Sequence, residues 1–223
     1  MNRMRTGADW ITGSPLGLMA SMLALAPLLF VQGLYARRKT PRLPEPEGAR
    51  EGQTGRGAPL RLLLLGDSAA AGVGAASQEQ ALSGQAVRSL EDRFDLRWKL
   101  VARTGANTLD ALQFVHALPP GPFDVAVISL GVNDVTGGRM VGTWLQQIDE
   151  LAGLLRAKLY VRQIILASLP PMHSFPALPQ PLRWFLGARA RQFNRALECW
   201  VASQSDCEFM RLNLGAKPGM MAS

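Results

Sequence analysis

Three short polar segments hold residue types that can do acyl chemistry. Gly66-Asp67-Ser68 ends the apolar run Arg61–Leu65 (RLLLL) and precedes Ala69, Ala70, Ala71 and Gly72. A serine placed directly after a buried strand, with small residues behind it, has its hydroxyl at a sheet edge with room around it, as a nucleophile requires. The plainer reading is that Ser68 caps the helix that follows. Arg103-Thr104-Gly105-Ala106-Asn107 forms the second segment, in which Gly105 can bring a backbone N–H close to a ligand. The third is Gly131-Val132-Asn133-Asp134, where Asn133 can aim a side-chain N–H at the same cleft as an oxyanion donor. Taken singly, Gly105 and Asn133 are also ordinary turn residues.

The elements that must position these segments alternate. Arg61–Leu65, Leu96–Ala102, Asp124–Leu130, Gln163–Leu169 and Glu208–Leu214 read as strands. Helical stretches fall at Gln80–Phe94, Thr108–Leu118 and Leu186–Ser203, with Thr108 as an N-cap. Trp144, Ile148, Leu151 and Leu155 share one helical face. Alternating β and α units at this spacing predict a parallel sheet covered on both faces. Its chemistry then belongs at the C-terminal strand ends, where all three polar segments lie.

Composition bounds the rest. Hydrophobic residues make up 48% and charged residues 18%, which excludes a disordered chain or a small disulfide scaffold. Of the net charge of +7, +4 falls within the first sixty residues. The body is only mildly basic, so the charge points to no nucleic-acid partner. Cys199 and Cys207 make no framework, either pairing or standing free, and no Cys/His cluster has metal-ligand spacing. No G-x-G-x-x-G or P-loop lysine follows the first strand, so no cofactor is expected.

Trp10–Ala36 is uncharged and long enough to span a bilayer. Arg37, Arg38, Lys39 and Arg42 follow it, against Arg3 and Arg5 before it. The expectation is a single-pass N-terminal anchor with the body on the cytoplasmic side. A cleaved signal peptide, leading to a periplasmic or secreted body, is the alternative. Thr40–Pro59, rich in Pro, Gly, Glu and Arg, reads as an extended tether. The expected organisation is an anchor over 1–36, a linker over 37–59 and a folded domain over 60–223.

Together the polar segments resemble a known family. RLLLLGDSAAAGVG is similar to the first block of SGNH/GDSL hydrolases, RTGANT to their glycine block and ISLGVNDVT to their G-x-N-D block. The resemblance implies a flavodoxin-like three-layer α/β/α fold with a five-strand parallel sheet in the order 2-1-3-4-5. It further implies hydrolysis of a small ester or lipid through an acyl-enzyme. Carried over by position, Ser68 is the nucleophile, and its own N–H, the Gly105 N–H and the Asn133 side chain form the oxyanion hole. Gly66, Asp67, Gly131 and Asp134 are motif residues with structural roles.

The family's fourth element, D-x-x-H after the last strand, supplies the catalytic Asp and His. No D-x-x-H occurs in these 223 residues, so the domain is expected to be C-terminally incomplete. Of the two histidines, His116 falls inside a predicted helix, whereas His173 follows the fourth strand and is expected to line the cleft. The resemblance therefore carries two functional expectations: an esterase impaired for want of its base, or a catalytically dead, membrane-tethered lipid- or ester-binding module.

Overall fold

The computed structural model describes residues 15–39 and 43–212. All five expected strands form within them: β2 (Ala58–Gly66), β3 (Phe94–Ala102), β4 (Val125–Ser129), β5 (Gln163–Ala167) and β6 (Cys207–Met210). The final residues of the last expected strand, Asn213 and Leu214, lie outside the described residues. These five strands pair in parallel. A sixth strand, β1 (Glu51–Thr54), pairs antiparallel with β3, and the sheet order is β1-β3-β2-β4-β5-β6. Without β1, this is the expected 2-1-3-4-5.

The extra strand corrects the expected five-strand sheet, and its physical reason is plain. Residues Glu-Gly-Gln-Thr are exposed and polar, so no apolar pattern announces them. An edge strand needs only backbone donors and acceptors to pair. Its one charged side chain, Glu51, also suits a sheet margin, where charge discourages further pairing; it meets Lys99 of β3 there.

Apolar side chains of β2 explain the layering. Leu63 and Leu65 join the core on one face of the sheet, Leu62 and Leu64 a smaller cluster on the other. A strand buried on both faces is the hallmark of a parallel sheet covered by helices. The helices in chain order are α1 (Pro15–Lys39), α2 (Ser68–Ala71), α3 (Leu82–Leu90), α4 (Thr108–Ala117), α5 (Val132–Thr136), α6 (Val141–Leu159) and α7 (Leu182–Val201). Trp144, Ile148, Leu151 and Leu155 are buried along α6, as their spacing requires.

Among the described residues no helix is long and apolar enough to cross a membrane, and Trp10–Ser14 lie outside them. The later part of α1 packs on the body. Gln32 donates to the Gln180 carbonyl at 2.7 Å and accepts from the Leu182 N–H at 3.0 Å, while Leu29 and Ala36 are buried. Leu28, Phe30, Val31, Leu34 and Tyr35 remain exposed.

Part of the expected linker is tied to the body as well. Gln78, only 2% exposed, donates to the carbonyls of Pro46 and Ala71 and accepts from Ser83 Oγ, and its N–H meets the Glu47 carbonyl. Residues 43–50 thus form a strap across the segment that follows Ser68. A buried amide exposed to no water must find such partners within the protein, and the strap supplies them.

Candidate active site

The three polar segments converge at the C-terminal ends of β2, β3 and β4. Gly66 sits where a Cβ would come within 2.5 Å of the Ala70 Cβ and 2.6 Å of the Ser129 carbonyl. Only glycine allows α2 to turn back this closely over β4. Asp67 then caps α2, its Oδ1 accepting from the Ala69 N–H at 3.0 Å. This overturns the plainer reading of Ser68 as a cap: Ser68 is the first helical residue. It is half-buried, and neither its hydroxyl nor its N–H has a partner among the described residues.

After β3, Arg103–Ala106 closes a turn through the Ala106 N–H to the Arg103 carbonyl at 3.0 Å. Gly105 has φ +81°, while Thr104 is not left-handed; these features define a type II turn. In that turn the N–H of the third residue takes no part in closure. The Gly105 N–H is accordingly unpartnered among the described residues, and open space surrounds the position of a Cβ.

Asn133 joins the segments. Its Nδ2 donates to the Ala106 carbonyl at 2.8 Å, beside Gly105, and reaches Asp67 Oδ2 at 3.4 Å, beside Ser68. The first contact is a sound hydrogen bond and the second a loose one. One amide hydrogen can therefore be surrendered to a ligand at little cost.

Asp134 performs a separate task behind the site. Its Oδ2 accepts from the Thr108 N–H at 3.1 Å and the Thr108 hydroxyl at 2.9 Å. Thr108 Oγ1 in turn accepts from Trp144 Nε1 at 3.0 Å. The other Asp134 oxygen faces the Arg139 guanidinium, with Nε at 3.4 Å. Thr108 is consequently not the expected helix cap. Asn107 caps α4 in a reciprocal box with Asp110, and Thr108 is buried against the asparagine loop.

Burial pushes the Asp67 carboxyl up to about 6, against the Ala69 hydrogen bond and with help from the Asp134 charge. Burial raises Asp134 as well, opposed by the Thr108 donors and Arg139. For Asp67 the linkage has a definite sign. Between pH 3.8 and about 6 the folded chain holds a proton that the unfolded chain has released. Stability therefore falls as pH rises through that window, by about 3 kcal/mol in all. Asp67→Asn keeps an oxygen for the Ala69 N–H but cannot ionise. Urea melts at pH 4 and pH 7 should show this component of the fall in the parent and its loss in the variant.

His173 occupies a 3-10 turn (Met172–Ser174) after β5, exposed. It lines a cleft of about 510 Å³ with Ser168, Leu169, Arg191, Arg195 and Arg211. Ser68, Gly105 and Asn133 do not line that cleft. His173 is thus a cleft residue, but the cleft is beside β5 and β6. His116 is exposed in the last turn of α4. Neither imidazole bonds to Ser68, and no described residue stands as its base. Reading the sequence missed Glu45, whose carboxylate reaches Thr104 from the strap. A lone acid in a Pro/Gly-rich stretch carries no signal of such a contact.

A model of the GDSL-like lipase/acylhydrolase family matches residues 64–219. The GDSL-like esterase Rv1075c of Mycobacterium tuberculosis is 29% identical over 142 residues, covering 61% of this chain and 44% of that protein. The chain thus spans less than half the length of that relative. Among solved structures, AlinE4, an SGNH-hydrolase family esterase, superposes with a TM-score of 0.55 at 23% identity, covering 75% of this chain and 85% of that one. A member of the lipolytic protein G-D-S-L family from Veillonella parvula DSM 2008 gives 0.51 at 15% identity, covering 64% and 73%. At these identities the two structures speak for the fold.

Proposed function

Since the chain belongs to the GDSL-like lipase/acylhydrolase family, we propose that it acts on carboxylic esters through Ser68, with the Ser68 N–H, the Gly105 N–H and Asn133 Nδ2 as oxyanion donors. The observation that carries this reading is the Asn133 amide, which touches the neighbours of both Ser68 and Gly105. The three proposed donors thus sit on three loops that this one amide ties together.

The steps follow from the atoms available. Ser68 Oγ attacks the ester carbonyl carbon, and the hydroxyl proton leaves to a base. The carbonyl oxygen becomes an oxyanion, which accepts from the two backbone N–H groups and from the amide hydrogen that Asn133 holds loosely against Asp67. Donors already in place need no reorganisation as charge develops; losing one typically costs about 10²–10³ in rate. The tetrahedral adduct collapses by breaking its bond to the alcohol oxygen, which leaves with a proton. Water then attacks the acyl-Ser68 carbonyl and releases the acid. Asp67 and Asp134 shape the loops and take no proton in this scheme.

The base is the one part that no described residue supplies. A reagent that reports on nucleophile and oxyanion donors together is therefore the right test. A fluorophosphonate ester, with free imidazole supplied as base, should modify one residue, Ser68, and Ser68→Ala should abolish the adduct in intact-mass spectra. Retention of an ester ligand without any adduct would favour the binding-module reading instead.

A further inference from the structure

Glu45 lies in the strap and accepts from the Thr104 N–H at 2.7 Å and the Thr104 hydroxyl at 2.8 Å, both on Oε1. Its other oxygen accepts from Arg50 Nη1 at 2.8 Å, and the same guanidinium donates to the Ala102 carbonyl at the end of β3. The Leu100 N–H bonds to the Arg50 carbonyl at 2.6 Å. One carboxylate and one guanidinium from a segment fifty residues upstream therefore brace the strand end and the first half of the Arg103–Ala106 turn.

The consequence falls on the peptide between Thr104 and Gly105. That peptide carries the Gly105 N–H, and where it stands depends on where Thr104 is held. A displacement of about 1 Å in a reacting geometry can cost on the order of 10²-fold in rate. Glu45 grips Thr104 at both its N–H and its hydroxyl. Charge-assisted bonds of this kind are roughly twice as strong as neutral ones. The Thr104 and Arg50 donors also hold the Glu45 carboxyl below the usual carboxylate range, in opposition to its partial burial.

We infer that Glu45 is a positioning residue: by clamping Thr104 from the strap it fixes where the turn holds the Gly105 N–H beside the other two oxyanion donors. This rests on the Ser68 reading above and adds to it a residue outside the three family blocks. Glu45→Asp would shorten the arm by one methylene and leave the carboxylate short of the same gap, so its reach matters as well as its charge.

The test is saturation kinetics of fluorophosphonate labelling in the presence of imidazole, on the full chain. Glu45→Gln should lower the limiting rate about tenfold, less than outright removal of a donor, and leave the concentration for half-saturation within about twofold. A structural role alone would lower the thermal midpoint without this split between rate and affinity. Thr104→Val removes the clamped hydroxyl from the other side and should lower the same rate; it also serves if Glu45→Gln fails to fold. An unchanged limiting rate in a folded variant overturns the inference while leaving Ser68 in place. A parent chain that forms no Ser68 adduct overturns the Ser68 reading, and the role of Glu45 with it.

Discussion

Without added base, a short-chain aryl ester is expected to be cleaved by the 223-residue chain at close to the background rate, and Ser68→Ala to change that rate by less than about threefold. Removing the triad partners of a serine typically costs on the order of 10⁴–10⁶ in rate. The Ser68 hydroxyl meets no imidazole or carboxylate among the described residues, and a serine at its ordinary pKa is a poor nucleophile. The proposed oxyanion donors remain, and they reward a nucleophile only once it has formed. Free imidazole should therefore separate the two chains. A positioned base contributes ~10²–10⁴, and a diffusing one a fraction of that, so the parent should exceed Ser68→Ala by about tenfold in imidazole buffer. The difference between the chains is the quantity to read, because imidazole also cleaves aryl esters on its own. A large serine-dependent rate in buffer lacking imidazole would show that a base is present after all.

Trp144→Ala should cost about 3–5 kcal/mol of stability, the usual toll for emptying a buried indole site. Trp144 is fully buried on α6, stacks on Phe193 of α7 with ring centroids 4.6 Å apart, and donates to Thr108. It thus ties together two helices and the start of α4, and behind them the Asp134 contact that shapes the asparagine loop. Total stability of a domain is only about 5–15 kcal/mol, so the variant should be largely unfolded at elevated temperature. Trp144→Phe keeps most of the apolar volume and loses the N–H. Its cost should be about 1–2 kcal/mol, near the worth of one buried hydrogen bond. Urea melts of the three chains would check both values. Equal midpoints for the parent and Trp144→Ala would mean that α6 and α7 close without this contact.

Much of the fold was legible because burial writes itself into residue order. Leu62 to Leu65 had to be a two-faced strand, and Trp144, Ile148, Leu151 and Leu155 a helical stripe, whichever elements they met. The strand-end residues Ser68, Gly105 and Asn133 were legible only together: each alone is an ordinary cap or turn residue, and the three blocks in order, through their family resemblance, single them out. Less legible were the caps. Asp67 and Asn107 took the positions expected of Ser68 and Thr108, because Asp, Asn, Ser and Thr are near equals as caps and neighbouring geometry decides among them.

The sequence alone determined the parallel sheet, its alternation with helices and the three loops that carry the proposed nucleophile and donors, since these depend on local periodicity and on short motifs. Tertiary structure decided what the upstream segment does. Glu45, Arg50 and the strand Glu51–Thr54 show no apolar pattern, and their partners, Thr104, Ala102 and β3, lie about fifty residues away. Hydrogen bonds between polar groups so far apart leave no periodic trace in the chain. They exist only because the folded sheet brings the groups within reach.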